Sequence, residues 1–131
     1  MTRKPVLCLD FDGVLHDYTS RWTATDEIND GPVPGAMAFL GEAVQHFSVA
    51  VYSARSATLE GRVAMRLWLE RKLIQEFGHN DGWAISDALK FPDRKPSALV
   101  ALDDRTLTFT GVWPDVRDLL DFKPWNKKEV E

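Results

Sequence analysis

The stretch Val6-Leu-Cys-Leu-Asp10-Phe-Asp-Gly13 decides the fold. Its four leading residues are apolar without alternation, so neither face of an extended chain could meet water, and the segment reads as a central strand of a parallel sheet. Two further runs have the same character: Ser48 to Ser53 and Ala98 to Asp103. Helical patterns separate them. Met37, Leu40, Val44 and Phe47 recur at three- and four-residue spacing in a segment opened by Pro34 and Gly35. Leu59, Val63 and Leu67, then Leu69, Leu73 and Phe77, predict a long helix that ends at Gly78. Trp83 to Ser86 reads as a short strand, Leu107 to Thr110 as a fourth strand and Asp115 to Phe122 as a last short helix.

Strands alternating with helices predict an α/β fold, a Rossmann-like parallel sheet with helices on both faces. With 131 residues the chain is expected to form one domain over 1–131. A chain of that size buries roughly two thirds of its unfolded surface, enough for a core without disulfide or metal staples. The single cysteine, Cys8, lies in the first apolar run and is expected as a small buried hydrophobe. Residues 14–34 turn polar and predict a flap or loop insertion, and 123–131 predict a surface tail.

The formal net charge is -4 and the basic residues are scattered, which argues against a broad nucleic-acid or anionic-membrane surface. No apolar stretch approaches the roughly 20 residues of a membrane span. The first residues lead into a strand and not into a signal-peptide core, so a cytoplasmic protein is expected. Nothing in the pattern fixes an oligomeric state.

Open α/β sheets bind ligands at the carboxyl ends of their strands. The three strong strands end in Asp10 and Asp12, in Ser53 and Arg55, and in Asp103 and Asp104. Four carboxylates meeting in one crevice repel one another, and a divalent cation is the simplest means of keeping them ionised. Oxygen donors without a paired His or Cys cluster favour a hard ion, so Mg²⁺ is expected.

Asp10-Phe-Asp-Gly-Val at the first strand, Ser53 at the second, Lys95 upstream of the third and Asp103-Asp104 at its end resemble the four ordered motifs of the haloacid dehalogenase superfamily. The likeness spans about Val6 to Asp104 and is closest to small bacterial and phage-type members with little or no cap domain. It implies a Mg²⁺-dependent phosphomonoester hydrolase that works through an aspartyl phosphate. Asp10 would be the nucleophile. Asp12 would act as general acid and base, and its backbone carbonyl would also bind the metal. Ser53 would hydrogen-bond the phosphoryl group, with the backbone N–H groups near Phe11 and Ala54. Lys95 would neutralise phosphate charge, with Lys90 as the competing lysine. Asp103 and Asp104 would complete the metal site with Asp10 and Asp12. Arg55 is expected to contact substrate, since its fork suits phosphate oxygens. His16 is weighed as a residue lining the same crevice.

A small phosphorylated substrate is the expected partner. A nucleotide, or a nucleic-acid end as in a polynucleotide 3′-phosphatase, is the neighbouring enzyme reading. Two readings without turnover stand beside these. One is a phosphate-binding module. The other is a receiver-like signalling domain, disfavoured because no aspartate ends the middle strand, whereas a receiver carries its phosphorylated aspartate mid-chain.

Overall fold

The computed structural model describes residues 3–102 and 109–121. In chain order the elements are β1 (Val6–Leu9), α1 (Ala36–His46), β2 (Ser48–Val51), a 3-10 turn (Ala54–Ala57), α2 (Leu59–Phe77), α3 (His79–Ala88), β3 (Val100–Leu102) and α4 (Val116–Leu120). The three strands form one parallel sheet in the order β2-β1-β3. The fold is therefore mixed α/β, as the alternation of runs predicts.

The first apolar run takes the central place. Leu7 and Leu9 project to one face of the sheet and Cys8 to the other, and all three are buried, so β1 is covered on both sides. Its partners are in register: Leu9 pairs with Val51 of β2 and with Leu102 of β3. All three strands thus finish at one level, and the residues that follow them emerge at one edge. Lys90 extends the sheet by a single bridge to Ala50, on the side of β2 away from β1. Its N–H donates to the Val49 carbonyl at 2.9 Å and its own carbonyl accepts from Val51 at 2.9 Å.

The long helix α2 ends where expected, with the Gly78 N–H donating to the Ile74 carbonyl. Its buried positions Met65, Trp68, Leu69 and Leu73 form one stripe that joins the core of Leu7, Leu9 and Phe11.

Three expectations need correction or narrowing. Trp83 to Ser86 is not a strand but part of α3, which packs on α2. The buried Gly82 and Ser86, with Ile85 and Leu89, recur at four-residue spacing; an apolar run this short carries no period of its own, and packing against α2 decides it. The fourth strand does not appear at Phe109 and Thr110, while Leu107 and Thr108 lie outside the described residues. Phe109 instead packs at a tilt against Trp113, which also meets Phe39 and donates its indole N–H to the Pro34 carbonyl at 2.8 Å. Phe109 and Trp113 thus cover the start of α1. The third strand and the last helix are shorter than expected, and Phe122 and the tail 123–131 also lie outside the described residues. No helix among the described residues is long and apolar enough to cross a membrane.

Candidate active site

β1 runs into Asp10, and the chain then reverses within one turn. The Phe11 carbonyl accepts from the N–H groups of Val14, Leu15 and His16, at 3.2, 2.9 and 2.9 Å, and Gly13 N–H donates to the His16 carbonyl at 2.8 Å. This wrap needs a left-handed residue, and Gly13 supplies it with φ of +82°. Phe11 anchors the turn: its ring is fully buried, stacked on His16 and edge-on to Trp68. With that side chain pinned inward, the flanking Asp10 and Asp12 remain partly exposed. Asp10 Oδ1 accepts from the Phe11 N–H at 2.8 Å.

The second strand delivers Ser53 to the same edge. Tyr52 N–H donates to the Leu9 carbonyl at 3.0 Å, so the residues after Val51 continue beside Asp10. Ser53 caps the 3-10 turn. Its Oγ accepts from Arg55 N–H at 3.0 Å, and its own N–H donates to Ser56 Oγ at 3.0 Å. The Ser53 hydroxyl proton points to Met65 Sδ at 3.4 Å, a weak acceptor that gives up little when the hydroxyl turns to a stronger one. Capping uses a lone pair of this oxygen and leaves its proton available to be donated, so the two uses do not compete. Ala54, the first residue of the turn, is exposed.

Arg55 departs most from expectation. It is fully buried, so it does not present its fork to a substrate. Its Nε donates to Asp12 Oδ2 at 3.0 Å and Oδ1 at 3.3 Å. Its Nη1 donates to the carbonyls of Ala24, Thr25 and Glu27 at 3.1, 2.8 and 2.9 Å. The guanidinium also lies 4.5 Å from the Trp22 ring centre. A buried guanidinium is stable only when charge and donors are matched, and here the polar flap provides the acceptors.

His16 is likewise buried and does not line an open crevice. Its Nδ1 is 2.9 Å from Asp12 Oδ1, while Nε2 accepts the Asp30 N–H at 3.0 Å. A backbone N–H can only donate, so the ring proton sits on Nδ1 and is given to Asp12. The flap closes on itself through Val33 N–H to the Leu15 carbonyl, Asp17 N–H to the Gly31 carbonyl, and Ser20 to the Asp30 carboxylate. The i, i+4 spacing of Asp12 and His16 and the isolated arginine after an apolar strand were the available signals for this network; neither specifies a partner in the flap.

Lys95 is exposed in the irregular connection 91–99, and Lys90 is exposed at the outer side of β2. Asp103 and Asp104, the remaining expected metal ligands, lie outside the described residues. Among the described residues no group of three or more His, Cys, Asp or Glu side chains could hold a metal ion. Asp10 and the Asp12 carbonyl are hard oxygen donors of the kind Mg²⁺ takes, while the Asp12 carboxylate is committed to Arg55 and His16. A separate groove of about 540 Å³ runs between the flap and α2, lined by Asp26, Ile28, Leu59, Val63, Leu67 and Trp68 among others. Neither Asp10 nor Ser53 lines it. Comparison of the chain with protein-family models, with curated proteins and with solved structures gives no match.

Proposed function

We propose that this protein is a Mg²⁺-dependent phosphomonoester hydrolase that uses Asp10 as its nucleophile. One observation carries the reading: Asp10 follows the central strand of a parallel sheet, and the hydroxyl-bearing turn at Ser53 follows the neighbouring strand at the same edge. Ligands of open α/β sheets bind at that edge, in the crevice beside the strand where the chain order reverses. Here β1 is that strand, with β2 on one side and β3 on the other.

In the first step a carboxylate oxygen of Asp10 attacks phosphorus. The bond from phosphorus to the ester oxygen breaks, and Asp12 hands the departing oxygen a proton, which its carboxyl must take up in place of a hydrogen bond it accepts from Arg55 or His16. In the second step water attacks the aspartyl phosphate, its proton passes to Asp12, and the bond between phosphorus and Asp10 breaks to release inorganic phosphate. Ser53 donates its hydroxyl to a phosphoryl oxygen, and Lys95 supplies positive charge. Mg²⁺, held by the Asp10 carboxylate, the Asp12 carbonyl and the acidic pair Asp103 and Asp104, would neutralise charge on the phosphoryl oxygens.

The test is hydrolysis of 4-nitrophenyl phosphate with and without Mg²⁺, with Asp10→Asn beside the wild type. Mg²⁺-dependent release of nitrophenol that is lost in the variant is the expected result. Turnover that survives Asp10→Asn, or no turnover of aryl, nucleotide or sugar phosphates with Mg²⁺ or Mn²⁺, overturns the reading.

A further inference from the structure

We propose that Arg55 is a positioning residue that latches the flap to Asp12, so that the proton-transferring carboxylate is set in place only when the flap is seated. The kinetic consequence rests on the phosphatase reading; the latch itself does not.

Two chain segments, each far from Arg55 in sequence, converge on its side chain. Nε holds the Asp12 carboxylate, and Nη1 holds the carbonyls of Ala24, Thr25 and Glu27. Trp22 and Phe11 lie against the guanidinium, at 4.5 and 5.8 Å from ring centre to Cζ. The flap supplies three of the arginine's acceptors from its backbone, which no other side chain of the flap need provide. His16 makes a second tie at the far end of the same flap, giving its Nδ1 proton to Asp12 while Nε2 accepts from Asp30. Asp12 is thus held from both 24–27 and 30. Displacement of the flap removes a donor from one or both carboxylate oxygens and frees the side chain to turn.

An acid that is misplaced costs most where the leaving group needs it. A nitrophenolate departs without a proton, whereas an alkoxide from an alkyl phosphate must receive one. A loss that acts through Asp12 therefore falls unequally on the two ester classes, and a general disturbance of the fold falls on both alike.

The experiment compares kcat/KM for 4-nitrophenyl phosphate and glycerol 2-phosphate, with Mg²⁺, in the wild type and Arg55→Lys, which keeps the charge but not the fork. Because kcat/KM reports the step up to phosphoryl transfer, the expected result is a loss at least about tenfold larger on the alkyl ester, within the range of a general acid's contribution. Equal losses on both esters, or none, overturn the proposal. If Arg55→Lys does not fold, His16→Gln is read on the same two esters with the same expected inequality. If the wild type hydrolyses neither ester, the latch is judged separately from the phosphatase reading, by amide hydrogen exchange over residues 15–31. Faster exchange there in both Arg55→Lys and Asp12→Asn supports it, and unchanged exchange overturns it.

Discussion

Arg55 Nε lies 3.0 Å from Asp12 Oδ2, joining residues 43 apart in sequence, and the two ends of this ion pair differ in their access to water. The arginine side chain is 1% exposed and the aspartate 15%. Asp12 can therefore meet a substrate from the outside while its orientation is fixed from within. The asymmetry predicts unequal costs. Arg55→Gln strands a partly buried carboxylate and three carbonyls, and should lower the unfolding free energy by about 3–5 kcal/mol. Asp12→Asn leaves the guanidinium its three carbonyl acceptors and should cost less. Urea unfolding of both variants measures the difference, and a loss below about 1 kcal/mol in Arg55→Gln would show the network to be incidental.

Asp10→Asn tests the nucleophile. The amide keeps the size of the carboxyl and can still accept the Phe11 N–H, so the turn after β1 should survive and the far-ultraviolet circular dichroism should match the wild type. Turnover of an aryl phosphate should fall on the order of 10⁴-fold or more, since removal of a nucleophile from a concerted set is not compensated by its neighbours. Asp103→Asn, by contrast, should raise the Mg²⁺ concentration needed for half-maximal rate more than it lowers the rate at saturating Mg²⁺.

Ser53 is a cap in the fold and, on the proposed mechanism, a donor to the phosphoryl group. Ser53→Ala removes the cap that receives the Arg55 N–H and should lower stability by about 1 kcal/mol. On the proposed mechanism it also removes a donor to the phosphoryl group, and kcat should fall a further ~10²-fold. Ser53→Thr retains the hydroxyl and should restore most of both. A stability loss in Ser53→Ala with unchanged turnover would leave Ser53 as a cap alone.

The positions of these residues were legible to different degrees. Val6 to Leu9, Ser48 to Val51 and the helix ladder from Leu59 to Phe77 announce themselves because each has one periodicity and one burial requirement. The edge that gathers Asp10, Asp12 and Ser53 follows directly from parallel pairing of those runs. Trp83 to Ser86 reads as a strand although it is helical, because four residues span barely one helical turn and the face they bury is defined by α2. The inward roles of Arg55, expected to contact substrate, and of His16, weighed only as a crevice residue, are hidden from the sequence for a related reason. The acceptors that bury them are backbone carbonyls and an amide of the polar flap, and backbone groups are the same whatever sequence carries them.

Asp30 gives the flap a dependence on pH whose sign is fixed by its partners. The Ser20 hydroxyl and N–H donate to the two Asp30 carboxylate oxygens, at 2.7 and 2.8 Å, and hold the carboxyl below its usual value of 3.8, outweighing the smaller opposing effect of burial. A carboxyl that ionises at lower pH in the folded chain than in the unfolded one stabilises the fold fully above the unfolded value. That contribution is lost as pH falls through the folded value. The Ser20–Asp30 tie should therefore be intact at neutral pH and through the weakly acidic range, and should open only below about pH 4. Carbon NMR titration of the Asp30 carboxyl reads this directly. Ser20→Ala removes the hydroxyl donor and should move the midpoint back up toward the usual value, with the flap cleaved more readily by protease at acidic pH than in the wild type. A midpoint unmoved by Ser20→Ala would mean that Ser20 does not set the ionisation of Asp30, and that the acid response of the flap lies elsewhere.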